Sequence, residues 1–346
     1  MNILYLPLEF GRWYSAKKLA YPVGVGMIDG FEGNKIQHLT IPLMYHDDIW
    51  LKHIKEIVGD RKFDQVWLEV VHSVIPEGIL EWLSSLAPIR VGFVIESLSI
   101  APEEFTDNPI GTQRRIDNLN QKLPYLTDIV VYDIRDLHNF HIPTMLGNMS
   151  VPERLVKTPN STADKAIFYG TAYGVRGEWL RSLKSRLIIN PPSAEDAGNF
   201  PRIFEQLFAF VNGYTPVDYS YFFRNWYYVR QSVYSIWINH LHTLPGCAMI
   251  SLPHRTQVLS GRVIESMAAG KPVVSQLLNT EMDDLFEDGK EILYYKDMFG
   301  LLNCLDRLQS DSDLRFYLAE AARVKVLENH TTEVQVKKII EFVGGD

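Results

Sequence analysis

The sequence predicts an α/β protein of two domains, each built on a parallel sheet that helices cover. Three observations support this prediction. Short apolar runs, typical of strands covered on both faces, alternate with helical segments along the chain. The 346 residues are enough for two domains that each bury a core. Between the halves lies Pro143 to Asp164, a polar stretch with three prolines and no periodicity, which predicts the domain boundary.

The first half places polar side chains at the ends of its predicted strands. We predict helices from Pro22 and at Pro76 to Leu86, and strands at Asn2 to Leu8, Lys35 to Pro42, Asp64 to His72, Ile89 to Ile95 and Asp128 to Tyr132. Ligands bind beyond the carboxyl ends of strands in open α/β sheets. His72, Glu96 and Ser97 stand at such ends and are therefore candidate ligand contacts.

Two other interpretations of these strand ends stay open. A single histidine at a strand end also serves as a capping or hydrogen-bonding residue, which is an alternative for His72. Past the fifth strand, Asp133 is a candidate to face the ligand, whereas Arg135 and Asp136 are expected to form a solvated ion pair.

The second half opens with a strand, a glycine-containing turn and a helix. The strand is Ala166 to Tyr169, the turn contains Gly170 and Arg176, and the helix is predicted at Gly177 to Leu187. The amide groups at such a helix start can bind an anion. The alternative is an ordinary turn with a surface arginine.

The most informative stretch is Ser260 to Asp297. A loop from Gln257 to Gly261 leads into a helix of about ten residues, which Gly270 and the following Lys271-Pro272 should end. Val273-Val274 then predicts a buried strand.

Within this helix, Arg262 and Glu265 lie three residues apart and share a face. An arginine suits a diphosphate, and a carboxylate suits the two hydroxyls of a ribose. A surface ion pair is the alternative. Upstream, His254 and Arg255 follow a predicted strand, Ala248 to Leu252, and should face the same ligand.

The same stretch resembles the donor-binding core of GT-B glycosyltransferases, most closely the group 1 and spore-maturation (CgeB-like) pattern R-x-x-E-x-M-A-A-G-x-P-V-V. That pattern runs here from Arg262 to Val274. Residues 285–291 and Tyr294-Tyr295 resemble the family's next helix and strand. The related retaining group carries two glutamates separated by seven residues; here Gln257 stands at the first position and Glu265 at the second.

The resemblance implies two facing Rossmann-like domains with an interdomain cleft. It implies an N-terminal acceptor domain over residues 1–160, a nucleotide-sugar domain over 161–330 and a closing helix over 331–346. It also implies transfer of a sugar from a UDP- or GDP-linked donor to an acceptor hydroxyl, with retention and without a metal or another cofactor. The acceptor could be a glycan, a lipid-linked glycan or a small molecule, with room for a peripheral membrane contact.

The resemblance also assigns roles to residues of this chain. Catalytic roles fall to Arg262 and Arg176 at the departing diphosphate, with Glu96 or His72 as the base if the enzyme inverts. Substrate-binding roles fall to Glu265, Gln257, Gly261, Ser260, Gly170, His254, Arg255 and Ser97.

Composition excludes some classes of protein. A formal charge of −8 without a basic cluster argues against binding of duplex nucleic acid. Cys247 and Cys304 lie in apolar surroundings, and we expect buried thiols rather than a disulfide. The sequence shows neither a signal pattern nor an apolar run long enough to cross a bilayer, so we expect a cytoplasmic protein.

Two alternatives from other classes remain. Gln257 at the first glutamate position favours a GT-B-like protein that binds nucleotide sugars without transferring them. A nicotinamide-dependent oxidoreductase would need a strand followed directly by G-x-G-x-x-G, whereas Gly24, Gly26 and Gly30 lie after a long loop.

Overall fold

The computed structural model of the protein describes residues 1–9, 22–44, 54–98, 109–170, 172, 174–189, 231–232, 234–253 and 258–344. The chain divides into two compact units. Unit 1 comprises Met1–Asn148, Asn199–Ser232 and Gln335–Asp346, and unit 2 comprises Met149–Gly198 and Val233–Val334. The chain therefore first passes from unit 1 to unit 2 after Asn148, within the proline-containing stretch Pro143 to Asp164.

Unit 1 is built on a parallel sheet of six strands in the order β3-β1-β5-β6-β7-β8. Those strands are β1 (Asn2–Leu6), β3 (Gln37–Thr40), β5 (Gln65–Glu69), β6 (Ile89–Val94), β7 (Asp128–Val131) and β8 (Thr144–Leu146). A separate parallel pair joins β2 (Leu8–Glu9) to β4 (Leu43–Met44). Because β5, β6 and β7 are neighbours, their carboxyl ends lie side by side at one edge of the sheet.

An aromatic cluster holds the sheet of unit 1 to its first helix. Trp67 of β5 is fully buried, and its ring lies 5.1 Å from that of Phe31 and 5.4 Å from that of Phe93. Tyr5 of β1 meets Phe31 edge-on at 5.5 Å. Such pairs contribute stability beyond the area that they bury.

Two helical segments of unit 1 were not predicted from the sequence. The bounds are α1 (Pro22–Gly33), α2 (Glu77–Ser84) and α3 (Pro109–Lys122), and residues 54–58 are also helical. The unpredicted segments are residues 54–58 and α3, and the sequence of α3 is mostly polar.

Unit 2 carries a second parallel sheet, of five strands in the order β10-β9-β11-β12-β13. The strands are β9 (Ala166–Phe168), β10 (Leu187–Ile189), β11 (Met249–Ser251), β12 (Val273–Gln276) and β13 (Leu293–Tyr295). Its helices are α4 (Gly174–Ser182), α5 (Gly261–Ala268), α6 (Met298–Ser310) and α7 (Ser312–Asn329), and residues 234–243 are helical. The last helix, α8 (Thr332–Gly344), begins in unit 2, and its residues from Gln335 onward belong to unit 1. Both cysteines are free and buried, as predicted.

Two helix predictions in this half are wrong. The helix expected at Gly177 to Leu187 runs from Gly174 to Ser182, and Leu187 begins β10. Residues 285–291 are not an α-helix: a short 3-10 helix, Glu281–Leu285, ends at the first of them and a turn follows. Gly289 has a φ of +78° in that turn, which a continuing right-handed helix would not allow.

The end of α5 matches its prediction and explains why a glycine stands there. Gly270 follows the helix with a φ of +74°. The amide groups of Lys157 and Asn160 donate to the carbonyls of Ala268 and Gly270, at 2.7 and 2.8 Å. This close approach leaves no room for a side chain, since a Cβ at Gly270 would overlap the carbonyl of Thr158.

Gly270 and Gly289 form a matched pair for testing this steric constraint. Both have positive φ, but a Cβ at Gly289 meets nothing within 4 Å. We expect Gly289→Ala to lower the free energy of unfolding by about 1 kcal/mol, the cost of left-handed backbone alone. Gly270→Ala should cost at least about twice that value, because the backbone of residues 157–160 must also move. Urea denaturation of both variants measures the difference, and equal costs would contradict the packing described for α5.

Candidate functional site

Arg262 lies in the first turn of α5, directly after the N-cap residue Ser260 and the first helical residue Gly261. The side chain of Ser260 makes no capping hydrogen bond to the helix. The first amide groups of a helix have no partners within the helix and carry partial positive charge. The start of α5 therefore combines amide donors with a guanidinium.

The guanidinium of Arg262 occupies a slot beside the end of β9. Its central carbon lies 5.1 Å from the ring centre of Phe168 and 5.2 Å from that of Tyr169, distances at which a cation is attracted to an aromatic face. Gly170 follows with a φ of +134°, and a Cβ there would overlap Nη2 of Arg262. Glycine at this position thus allows both the backbone turn and the approach of the arginine.

Two donors of this guanidinium have no acceptor in the part of the chain that the structure describes. Among the residues that the structure describes, neither Nε nor Nη1 of Arg262 finds a hydrogen-bond partner, although both atoms are buried. A buried donor without an acceptor costs about 1–3 kcal/mol, and more for a charged group. An anion such as a diphosphate would supply the missing acceptors and balance the charge.

Glu265, one turn further along α5, is buried and joins three elements. Its Oε2 accepts from the hydroxyl of Tyr169 at 3.0 Å and from Nε1 of Trp237 at 3.4 Å, and its Oε1 accepts from the hydroxyl of Tyr234 at 3.3 Å. Burial raises the pKa of Glu265 to about 7, although these hydrogen bonds and the nearby Arg262 act in the opposite direction. The predicted contact of Glu265 with a ribose stays a prediction; in this structure both of its oxygens already accept hydrogen bonds.

Arg176 is buried in α4 and reaches the end of β11. Its Nε donates to the carbonyl of Pro253 at 3.1 Å and its Nη2 to the carbonyl of Leu252 at 3.4 Å. The guanidinium also lies 5.8 Å from the ring of Phe168, on which Arg262 packs. A contact of Arg176 with a diphosphate stays a prediction. The hydrogen bonds that Arg176 makes in this structure orient the backbone of Leu252 and Pro253.

Three predicted site residues, His254, Arg255 and Gln257, lie outside the residues that the structure describes.

Unit 1 brings its three predicted site residues to neighbouring strand ends. His72 follows β5, whereas Glu96 and Ser97 follow β6. Nε2 of His72 lies 3.6 Å from Oε2 of Glu96, and Nη1 of Arg115 donates to the same oxygen at 2.7 Å. The side chain of Glu96 is 44% exposed, so its carboxylate is both fixed and accessible to a ligand. We call His72 and Glu96 the strand-end pair.

The charged residues after β7 differ from their prediction. Arg135 pairs with Asp133 at 2.9 Å and not with Asp136. Asp136 is fully buried and accepts from the amide of Leu98 at 2.8 Å, so it is a structural anchor rather than one half of a solvated pair. Burial opposes ionisation of Asp133, but hydrogen bonds from Arg135 and Ser97 outweigh it and lower the pKa of Asp133.

Several residues at this edge were missed by the sequence analysis. Glu69, Asn118 and Lys122 hold the backbone around His72, and Arg115 holds Glu96. The sequence does carry a signal for three of them. Arg115, Asn118 and Lys122 have the spacing i, i+3, i+7, which places them on one face of a helix.

The described residues contain no group of three or more His, Cys, Asp or Glu side chains able to hold a metal ion. The expected metal independence stays a prediction. Within the same part of the chain, no helix is long and apolar enough to cross a membrane.

Comparison with known proteins supports the resemblance over the second unit. Residues 231–341 match the family model described as glycosyl transferase-like. This segment includes α5 with Arg262 and Glu265. No curated protein sequence matches the chain.

Solved structures resemble the chain over its whole length. Sucrose-phosphate synthase from Thermosynechococcus elongatus is 12% identical, with a TM-score of 0.60 and coverage of 99% of this chain and 98% of that one. Anabaena HepE, solved with UDP and glucose, is 10% identical, with a TM-score of 0.56 and full coverage of both chains. A trehalose-phosphate synthase from Burkholderia xenovorans, solved with glucose-6-phosphate, is 10% identical, with a TM-score of 0.57 and 99% coverage of each chain. With the two parallel sheets, these likenesses confirm the predicted two-domain, Rossmann-like GT-B fold.

The raised pKa of Glu265 predicts a pH dependence of stability. A carboxyl whose pKa is raised by folding, here from 4.5 to about 7, stabilises the fold fully below the lower value. That contribution is lost as the pH rises through about 7. We therefore expect the Tm of the wild type to fall, relative to that of Glu265→Gln, between about pH 5 and about pH 8, because the amide cannot ionise. Parallel Tm curves for the two proteins would show that Glu265 titrates as it does in the unfolded chain.

Proposed function

We propose that this protein is a glycosyltransferase that moves a sugar from a nucleoside diphosphate sugar to an acceptor hydroxyl. The observation that carries the proposal is the guanidinium of Arg262, buried beside Gly170 with two donors that no described residue satisfies. The glycosyl transferase-like match over residues 231–341 and the GT-B fold support it. The relative that was solved with UDP and glucose favours a UDP-linked donor, with a GDP-linked donor as the alternative.

The chemistry requires stabilisation of negative charge on the leaving diphosphate. When the bond between the sugar and the diphosphate breaks, both bonding electrons leave with the diphosphate oxygen. A guanidinium held against two aromatic rings is fixed in position before the bond breaks, and loss of such a donor raises the barrier by about 3–4 kcal/mol. The amide groups at the start of α5, next to Ser260 and Gly261, would add to this stabilisation.

Unit 1 would supply the acceptor side of the reaction. The strand-end pair offers a carboxylate and an imidazole, groups that can hydrogen-bond a hydroxyl. We propose retention of configuration without a metal or another cofactor, as the resemblance implies. If the enzyme inverts, the strand-end pair contains the first candidates for the base. The spore-maturation branch and the cytoplasmic location remain predictions from the sequence.

A calorimetric screen tests the donor site. We expect UDP or GDP to bind without added metal, and UDP-glucose or GDP-glucose to bind to the same site. Binding without any release of the nucleoside diphosphate, when sugars and sugar phosphates are offered as acceptors, would favour the non-catalytic alternative. Binding of a nicotinamide dinucleotide with no binding of any nucleoside diphosphate would overturn the proposal.

Substitution of Arg262 tests which group holds the diphosphate. We expect Arg262→Met to weaken UDP binding about 100-fold, since two charge-assisted hydrogen bonds are lost. Uridine, which has no phosphate, should bind both proteins about equally. Arg315→Met is the matched control. Arg315 is also a buried arginine of unit 2 whose Nε has no partner among the described residues, but its Nη1 donates to the carbonyls of Leu308 and Gln309. Unchanged UDP affinity in Arg262→Met would remove Arg262 from the donor site.

A further inference from the structure

The short loop after β5, residues 70–73, is held through its amide groups by one buried carboxylate. Oε1 of Glu69 accepts from the amides of Val71 and His72, both at 2.7 Å, and Oε2 accepts from the amide of Ser73 at 2.9 Å. The side chain of Ser73 donates back to the carbonyl of Glu69 at 2.8 Å. Three consecutive amides bonded to one carboxylate leave this backbone little freedom to move.

The carbonyls of the same loop are held from the opposite side by α3. Nζ of Lys122 donates to the carbonyls of Val70 at 3.0 Å and Ser73 at 2.5 Å, and Nδ2 of Asn118 donates to the carbonyl of Val71 at 3.0 Å. Lys122 is fully buried, and this burial lowers its pKa to about 8, while Glu69 acts in the opposite direction. The loop is therefore clamped through both its donors and its acceptors.

The same face of α3 also reaches the end of β6. Arg115 precedes Asn118 by three residues and Lys122 by seven, so all three side chains project from one side of the helix. Arg115 is buried and donates to Glu96 at 2.7 Å. One helix face thus fixes the strand ends that carry His72 and Glu96. Nε2 of His72 and Oε2 of Glu96 are 3.6 Å apart.

This arrangement is costly if stability is its only purpose. Removing charged groups from water costs several kcal/mol for each ion, and apolar side chains of similar volume are often equally stable. Glu69 and Lys122 are both buried, and together they hold four residues of backbone. What the arrangement provides is a fixed distance between a histidine and a partly exposed carboxylate.

We propose that Glu69, Arg115, Asn118 and Lys122 are positioning residues that hold His72 and Glu96 as one unit, ready to hydrogen-bond the acceptor hydroxyl. The role of the pair rests on the transferase function proposed above, whereas the clamping of the pair by α3 does not. The competing explanation is that the buried network only stabilises unit 1. The two explanations predict different behaviour of the His72 ring in a folded variant.

NMR of the full chain labelled with ¹³C at histidine Cε1 separates the explanations, with His72→Gln identifying the His72 signal. In Lys122→Met we expect the His72 signal to shift, because the distance from Glu96 is no longer fixed. Lys271→Met is the matched control, since Lys271 is also a fully buried lysine, donates to the carbonyl of Leu244 at 2.7 Å and has a pKa lowered to about 8. We expect Lys271→Met to have a lower Tm than the wild type and an unshifted His72 signal.

Release of UDP from UDP-glucose, with water as the acceptor, gives an independent measurement. For Lys122→Met we expect kcat to fall by about tenfold or more, with the KM for UDP-glucose within about twofold of the wild-type value. Lys122→Arg, which keeps the charge, should recover part of the loss. If Lys122→Met does not fold, Asn118→Ala removes one hydrogen bond of the clamp and is judged by the same two measurements.

A folded Lys122→Met or Asn118→Ala with a lower Tm but an unmoved His72 signal and unchanged kcat would overturn the positioning role. That failure differs from a failure of the proposed function. The donor site is tested by UDP binding to the wild type and to Arg262→Met, whereas the His72 signal is measured without any ligand.

Discussion

The close approach of Arg262 to Gly170 is the constraint on which the proposed donor site depends. The guanidinium lies across two aromatic rings at the end of β9, and its position is open only because residue 170 has no side chain. The φ of +134° at Gly170 is itself poorly suited to other residues. The backbone conformation of this glycine and the packing against it therefore hold the guanidinium of Arg262 with two buried nitrogens, Nε and Nη1, that no described residue accepts from.

Both units use buried ionisable side chains to hold backbone or helices next to their candidate ligand contacts. In unit 2, Glu265 joins the end of β9, α5 and the helical residues 234–243 through three hydrogen bonds. In unit 1, Glu69 and Lys122 clamp the loop that carries His72. These hydrogen bonds fix the geometry of each cluster. Burying the charged groups costs desolvation free energy, which is offset only where the groups are fully hydrogen-bonded. The resemblance pointed to Glu265 as a ligand contact, and the structure shows that it also has an internal role.

The buried strands were predictable from the sequence, whereas the mostly polar helix α3 was not. The strands β5, β6, β11 and β12 each contain a short apolar run, and Gly270 ends α5 as a glycine followed by Lys-Pro should. The missed helix α3 has few apolar residues, because its inner face contacts strand ends through Arg115, Asn118 and Lys122. Its hydrophobic periodicity is accordingly weak. Residues 285–291 were expected to be helical, but they form a turn. In that turn the carboxylate of Glu291 accepts from the amide of Glu287, and the carboxylate of Asp288 accepts from the amide of Tyr294.

A crystal structure of the protein with UDP would show directly whether Arg262 binds the diphosphate. We expect oxygens of the diphosphate to lie within hydrogen-bonding distance of Nε and Nη1 of Arg262, in front of the first amide groups of α5. The guanidinium should remain against Phe168 and Tyr169. A diphosphate bound elsewhere, making no contact with Nε or Nη1 of Arg262, would rule out the proposed donor site.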